Sequence, residues 1–192
     1  MKPLTNAPLP SIKDICGLLT RNIIIDEKEL SSPWMSDEDL GFWLSRSAWS
    51  IFLIAKYHFS LLGKDKISVW CPSYFCNASL APLRELNINL IFYPILDDGS
   101  PNIDQCKKIL INNPSPDLFI AVHYFGCTVE LTDTAAFVND HEAWLIEDAA
   151  HILQPQPKMG EHSHFLLFSP HKFLPIPDGA ILVIKKINFI KH

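Results

Sequence analysis

Glycine is scarce in this sequence, and the glycine-rich signatures of nucleotide-binding loops are absent. Seven of the 192 residues are glycine, and neither GxGxxG nor GxxxxGK[ST] occurs, so dinucleotide-binding and P-loop functions have no support. Positive charge is also low, since 16 lysines and arginines face 21 acidic residues. The basic residues are scattered, so the sequence predicts neither nucleic-acid binding nor attraction to an anionic membrane. No apolar run approaches the roughly 18 residues of a membrane-spanning helix.

The cysteine pattern argues against a disulfide framework and against a metal site. Five cysteines stand at irregular spacings and form no CxxC pair, whereas regular cysteine and histidine spacings are typical of both kinds of site. We therefore predict no metal site. Cys71, Cys106 and Cys127 are expected to act as small buried hydrophobic residues.

Short apolar segments alternate with segments at helical spacing, and this alternation predicts an α/β fold. The apolar segments do not alternate cleanly with polar residues, as is typical of strands covered on both faces of a parallel sheet. Crossover helices fit between the first four of them, so we predict a mostly parallel, doubly wound sheet. The predicted strands are residues 67–72, 88–95, 118–126, 143–150, 164–169 and 180–186, and most of residues 36–63 is predicted to be a helix ending at Gly63.

Functional groups gather where three of the predicted strands end. Glu147 and Asp148 close one apolar segment, His123 and Tyr124 close another, and two aromatic residues and an asparagine follow a third. Ligands of open α/β sheets bind outside the carboxyl ends of the strands. An acidic residue there is either solvated at the rim or directed into a crevice, and position alone leaves both interpretations open.

Five motifs in a fixed order resemble the DegT/DnrJ/EryC1 branch of the fold type I pyridoxal-phosphate aminotransferases, which contains many nucleotide-sugar aminotransferases. They read "SRSA", "PSYFCNAS", "VHYFG", "IEDAAH" and "SPHKFLPIPDGAILV" along the chain. The resemblance covers roughly residues 40 to 186. It implies a three-layer α/β/α fold, the large domain of that enzyme class, with pyridoxal 5′-phosphate as cofactor.

The resemblance implies chemical roles for four residues that follow two strand ends. Lys172 would form the Schiff base with the cofactor and move the Cα proton as general acid and base. Asp148 would pair with the pyridinium nitrogen, and His151 matches the position of a glutamine or histidine near the cofactor's 3-oxygen. Ser169 offers a hydroxyl to the phosphate, although many members place that serine five residues before the lysine, where this chain has Leu167.

A second part of the phosphate site is implied at "SRSAWSIF", which resembles the turn that enters the first long helix of the family. Ser47 and the backbone of Ala48 would bind the phosphate, with Ser45 and Arg46 at the edge. Free N–H groups and a positive dipole end favour an anion at a helix N-terminus. A serine that only caps a helix has the same appearance in sequence.

The aromatic residue that stacks on the cofactor ring in the family is displaced in this chain. Four residues after Pro72 the sequence has Cys76 in place of an aromatic residue. Either Tyr74 or Phe75 could stack on the ring, and either could equally be an ordinary core residue.

The length of the chain departs from the family pattern. The resemblance implies an N-terminal leader at residues 1–39 and an incomplete cofactor-binding large domain at residues 40–192, with the small C-terminal domain missing. A natural truncation, one product of a split gene and a fragment of a larger protein are all consistent with this.

The implied function is transfer of an amino group from a donor such as glutamate to a keto acceptor, expected to be a sugar or related metabolite. Dehydration or decarboxylation remains open, because a fold does not fix which bond reacts. The alternative is a non-catalytic remnant, or one piece of a split enzyme, that keeps the cofactor-binding fold. We expect a homodimer or a second polypeptide as partner, and a cytoplasmic location, since the N-terminus lacks the apolar region of a signal peptide.

Overall fold

The computed structural model describes residues 11–20 and 26–190, and within them a seven-stranded sheet carries helices on both faces. The strands are β1 (Leu40–Leu44), β2 (Ile67–Pro72), β3 (Ile88–Tyr93), β4 (Leu118–Val122), β5 (Trp144–Ala149), β6 (Phe165–Phe168) and β7 (Ala180–Ile184). The helices are α1 (Ile12–Thr20), α2 (Glu27–Ser31), α3 (Ser47–Leu62), α4 (Asn77–Leu80), α5 (Ile103–Leu110), α6 (Thr132–Asn139) and α7 (Lys186–Ile190). No helix in these ranges is long and apolar enough to cross a membrane.

The sheet has the strand order β1-β7-β6-β5-β4-β2-β3, and the strands from β2 to β6 pair in parallel. Among the described strands, β7 pairs antiparallel with both of its neighbours, β6 and the edge strand β1. The predicted mostly parallel α/β sheet is therefore confirmed. Its carboxyl edge gathers the ends of β2, β4, β5 and β6, together with the turns that follow them.

The two faces of strand β2 contribute to two separate hydrophobic cores. Val69 packs with Ile51 of α3 on one face, whereas the next residue, Trp70, packs with Phe137 of α6 on the other. This is the two-residue side-chain period of a strand. Helices on both faces produce the three layers and explain why the central strands are mostly apolar.

The segment before α3 corrects the prediction that most of residues 36–63 is helical. Residues Leu40–Leu44 form β1, which pairs with β7, and the helix begins at Ser47 after an extended Arg46. Gly41 lies so close to its neighbours that a Cβ there would meet Met35 Sδ at 2.6 Å. Apolar residues in this segment fit a helical spacing and a strand spacing alike, and pairing with β7 selects the strand.

The cysteine prediction holds for two positions and is wrong for the third. Cys71 and Cys106 are fully buried in the two cores, whereas Cys127 is exposed. Cys127 follows the short 3₁₀ turn Tyr124–Gly126, so it lies in a surface loop after β4 and has no core to enter.

A buried ion pair near the edge of the sheet makes stability dependent on pH. Asp39 Oδ2 accepts hydrogen bonds from Lys185 Nζ at 2.7 Å and from Ser36 Oγ at 2.7 Å. Burial acts to raise the pKa of Asp39, but Lys185 and Ser36 together hold that pKa below its ordinary value. A carboxyl whose pKa is lower in the folded chain stabilises it above the unfolded pKa, and this stabilisation is lost as the pH falls through the folded pKa.

We therefore expect Asp39→Asn to lower the free energy of unfolding by about 2 kcal/mol at pH 6, measured by urea denaturation. Below about pH 4, where an unfolded aspartate takes up its proton, the difference between the variant and the wild type should shrink. A difference that stays constant from pH 6 to pH 3 would contradict the assignment.

Candidate active site

A cavity of about 230 Å³ opens at the carboxyl edge of the sheet. It lies where the sequence placed a site, next to the ends of β2, β4 and β5 and to the turn after β6. All eleven of its lining residues come from the five motif segments. The lining residues are Ser47, Tyr74, Phe75, Cys76, Ser79, Val122, Tyr124, Asp148, Ala150, His151 and Lys172.

Asp148 brings a buried carboxylate to this cavity. It lies in β5, is 5% exposed, and accepts a hydrogen bond from the Ala150 N–H to Oδ1 at 2.9 Å. Burial raises the pKa of Asp148, and the Ala150 hydrogen bond and the positive charge of Lys172 oppose that rise only in part. A cationic hydrogen-bond donor that enters the cavity would therefore stabilise the charged form of this buried carboxylate.

Lys172 reaches the cavity from the 3₁₀ turn Pro170–Lys172 that follows β6. The turn is held at its start by the Lys172 N–H, which donates to the Ser169 carbonyl oxygen at 3.0 Å. A second hydrogen bond fixes the turn to the segment before β7, because His171 Nδ1 donates to the Gly179 carbonyl oxygen at 2.8 Å. The Lys172 side chain is exposed, so its amine is accessible to a ligand.

His151 offers a neutral imidazole at the cavity wall. Its Nδ1 accepts a hydrogen bond from the Phe125 N–H at 3.4 Å, and the Phe125 ring stacks on the imidazole at 5.7 Å between centroids. Burial and the charge of Lys172 lower the pKa of His151. With Nδ1 acting as the acceptor, the ring proton lies on Nε2, which is available as a donor.

The N-terminus of α3 forms another wall of the cavity. Ser47 is its first residue, is almost fully buried, and lines the cavity. Arg46, the N-cap residue, makes no side-chain hydrogen bond to the first turn. The first N–H groups of a helix have no partner within the helix, so those of Ser47 and Ala48 suit an anionic ligand.

Ser169 and Ala48 stand apart from the other predicted site residues, because neither lines the cavity. Ser169 is fully buried directly after β6, and its hydroxyl oxygen has no hydrogen-bond partner among the described residues. An unsatisfied buried hydroxyl is destabilising, so a ligand oxygen reaching Ser169 would relieve that cost. The Ala48 contribution can come only from its backbone in the first turn of α3.

Both candidate aromatic residues lie at the cavity, and they differ in their surroundings. Phe75 packs partly against the core on the α3 side, whereas Tyr74 is largely exposed. The Tyr124 hydroxyl donates to the Tyr74 carbonyl oxygen at 2.5 Å, and their rings lie 5.5 Å apart. The Tyr124 contact fixes the backbone that carries Tyr74 and Phe75.

Cys76 lines the same wall, and its surroundings lower the pKa of its thiol. Partial burial acts to raise the pKa of Cys76, but hydrogen bonds from Ser79 and Ala78 and the charge of Lys172 hold it below the ordinary value. The thiol therefore adds a polarisable group to this wall of the cavity.

Sequence reasoning missed Tyr124 as a wall of the cavity. The signal is the strand period, since Val122 and Tyr124 line the cavity while His123 between them is buried on the other face. The assembled cavity combines an accessible amine, a buried carboxylate, a neutral imidazole donor and a helix N-terminus. This set can bind a cation at one wall and an anion at another, and can form a covalent bond through the amine.

Comparison with known proteins finds the same fold in solved structures of other proteins. No protein-family model and no curated protein matches the sequence. The chain is similar in structure to PseC of Helicobacter pylori, an aminotransferase involved in the biosynthesis of pseudoaminic acid, with a TM-score of 0.70 and 20% identity over 96% of this chain and 53% of that one. It is also similar to DesV of S. venezuelae in complex with a ketimine intermediate, with a TM-score of 0.65 and 17% identity over 92% of this chain and 50% of that one.

A third similar structure is NtdA of Bacillus subtilis with the bound cofactor PMP, with a TM-score of 0.63 and 16% identity. That match covers 83% of this chain and 35% of the other. At these identities the likeness establishes the fold, and the predicted three-layer architecture is confirmed. The chain spans about half the length, or less, of these three proteins.

Proposed function

We propose that this chain binds pyridoxal 5′-phosphate and is the cofactor-binding domain of an aminotransferase. The observation that carries the proposal is the cavity that Lys172 and Asp148 share. Lys172 is an accessible amine after β6, and Asp148 is a buried carboxylate near the end of β5. The cavity groups fit this cofactor, since it has an aldehyde for an amine, a ring nitrogen for a carboxylate and a phosphate for a helix N-terminus. The unpartnered hydroxyl of Ser169 supports the phosphate end.

When bound, the cofactor supplies an electron-accepting ring. Lys172 is the residue that would hold the cofactor covalently, its Nζ condensing with the aldehyde carbon and releasing the aldehyde oxygen as water. Once an amino donor had taken its place, the free Lys172 amine would serve as the general base and acid that moves a proton. Asp148 accepts a hydrogen bond from the ring N–H and keeps that proton in place. Because burial raises the pKa of Asp148, the cationic ring nitrogen is its natural partner.

The remaining groups bind and orient the cofactor. His151 Nε2 donates to the ring 3-oxygen, and Ser47, the Ala48 N–H and Ser169 bind the phosphate. Either Tyr74 or Phe75 covers one ring face and keeps water from it. The proposed domain comprises residues 40–192, preceded by a leader at residues 1–39.

The proposed reaction moves an amino group from a donor such as glutamate to a keto acceptor, a sugar or a related metabolite. The structural neighbours PseC and DesV support this reaction class. We further propose that the chain acts as a homodimer or with a second polypeptide. Helix α3 carries exposed apolar residues at every fourth position, which form a stripe along the helix: Trp49, Leu53, Tyr57 and Leu61. An apolar stripe on a helix is typical of a surface that a partner covers.

An absorbance titration followed by a half-reaction tests this proposal. Adding pyridoxal 5′-phosphate to the purified chain should produce a saturable visible band that is distinct from the band of free cofactor. L-glutamate should then bleach the band and release one equivalent of 2-oxoglutarate, whereas D-glutamate should leave it unchanged. Binding without the glutamate reaction would favour the non-catalytic alternative, and no saturable band would contradict the proposal.

A further inference from the structure

Strand β5 carries two acidic residues that point to opposite faces of the sheet. Asp148 lines the active-site cavity, whereas the preceding Glu147 lies beside a second cavity on the other face. Glu147 is 1% exposed, and the mechanism above does not use it. A buried carboxylate is costly unless it is fully hydrogen-bonded, so its partners show what it does.

The main partner of Glu147 is His123, which is equally buried at the end of β4. His123 Nε2 lies 2.9 Å from Glu147 Oε2, and His123 Nδ1 accepts a hydrogen bond from the Val129 N–H at 3.1 Å. Because Nδ1 is the acceptor, the imidazole is the Nε2–H tautomer and donates to Glu147. The Gly160 N–H donates to both carboxylate oxygens, at 3.0 and 3.2 Å.

These bonds connect three parts of the chain around Asp148. The His123 N–H also donates to the Asp148 carbonyl oxygen at 3.0 Å, so one residue binds Asp148 through its backbone and Glu147 through its ring. Through Gly160, the loop before β6 is also hydrogen-bonded to Glu147. The side-chain amide of Asn188 in turn donates to the Gly160 carbonyl oxygen at 3.3 Å. The end of β5 that presents Asp148 is therefore fixed from the face opposite the cofactor cavity.

The pair also places negative charge behind Asp148. Glu147 accepts from N–H groups on both oxygens, as a carboxylate does, and its partner imidazole is the neutral tautomer. No lysine or arginine among the described residues forms an ion pair with it. In a buried region this charge is weakly screened, and it favours a proton on a ring nitrogen held by Asp148.

We propose that Glu147 and His123 are positioning residues that fix Asp148 and favour the protonated ring nitrogen of the cofactor. This inference rests on the proposed function. Residues that orient a ligand-binding group through hydrogen bonds change binding when they are replaced, typically by about 10- to 100-fold at metal sites. We expect the lower end of that range here, because Asp148 itself remains.

The test uses ¹⁵N-labelled pyridoxal 5′-phosphate, whose ring-nitrogen chemical shift reports protonation directly. In Glu147→Gln we expect the shift to move towards the unprotonated value and the dissociation constant to rise about tenfold. Asp39→Asn is the matched control, since it breaks a buried ion pair elsewhere, and both readouts should match the wild type. A wild-type shift and dissociation constant in Glu147→Gln would overturn the inference.

Two His123 variants keep the inference testable if Glu147→Gln fails to fold. The amide nitrogen of His123→Gln can replace Nε2 and still donate to Glu147. The oxygen of His123→Asn can replace Nδ1, but this variant removes the side-chain donor of Glu147 and leaves it only the Gly160 N–H. We expect the ¹⁵N chemical shift of the cofactor ring to stay near the wild-type value in His123→Gln and to move towards the unprotonated value in His123→Asn. Equal shifts in both variants would overturn the inference. A wild-type chain that binds no cofactor would overturn the proposed function, whereas failure of the variants alone leaves that function standing.

Discussion

Replacing Lys172 with alanine should abolish covalent attachment of pyridoxal 5′-phosphate and leave the fold almost unchanged. The side chain is exposed and none of the described hydrogen bonds or ion pairs uses its Nζ. Its removal should therefore change the free energy of unfolding by no more than about 0.5 kcal/mol. The expected loss of the covalent adduct is complete, because the other lining residues carry no amine.

Intact-protein mass spectrometry after borohydride reduction measures this effect. The matched control is Lys158→Ala, which removes an exposed lysine paired with Glu130 at 3.0 Å and should keep the full adduct. A reduced adduct of unchanged yield in Lys172→Ala would remove Lys172 from its role.

Replacing Asp148 with asparagine should weaken cofactor binding and lower the rate of the glutamate half-reaction by about 10²-fold or more. Asparagine can still accept the Ala150 N–H hydrogen bond, so the local geometry is retained. It has no negative charge to hold a proton on the ring nitrogen. The change removes the charge while keeping the shape.

The same variant should stabilise the cofactor-free chain at neutral pH. Burial raises the pKa of Asp148, so the folded chain binds its proton more readily than the unfolded chain. The charged carboxylate therefore costs stability at pH values above the folded pKa, and this cost disappears as the pH falls towards the unfolded pKa. Asparagine avoids the cost at every pH.

Urea denaturation of the cofactor-free proteins at pH 7 and pH 4 tests the sign of this effect. Asp148→Asn should be more stable than the wild type at pH 7, and the gap should narrow at pH 4. A less stable variant with normal cofactor binding would mean that Asp148 serves packing and not the cofactor. A residue that lowers the stability of the free protein but is needed for ligand binding is typical of an active site.

The sheet could be predicted from sequence because its central strands are covered on both faces. Such strands read as short apolar runs, and six of the seven described strands, β2 to β7, were found in this way. Strand β1 was missed because Phe42 and Trp43 lie in an apolar segment that continues into α3. Its identity depends on pairing with β7, far along the chain, and no local pattern encodes that pairing.

The site could be predicted in its centre but not in its surroundings. Asp148, His151 and Lys172 lie at or just after strand ends that the topology brings to one edge, and all three line the cavity. The contact between Glu147 and His123 depends on the alignment of β4 with β5, which a sequence alone does not fix. The position of Ser169 outside the cavity lining also depends on the turn after β6.

The most direct test of the account is to map the reduced cofactor adduct in the wild-type chain. After incubation with pyridoxal 5′-phosphate, borohydride reduction and proteolysis, tandem mass spectrometry identifies the modified lysine. We predict one saturable adduct, located on Lys172. An adduct distributed over surface lysines, or located on a lysine other than Lys172, would contradict it.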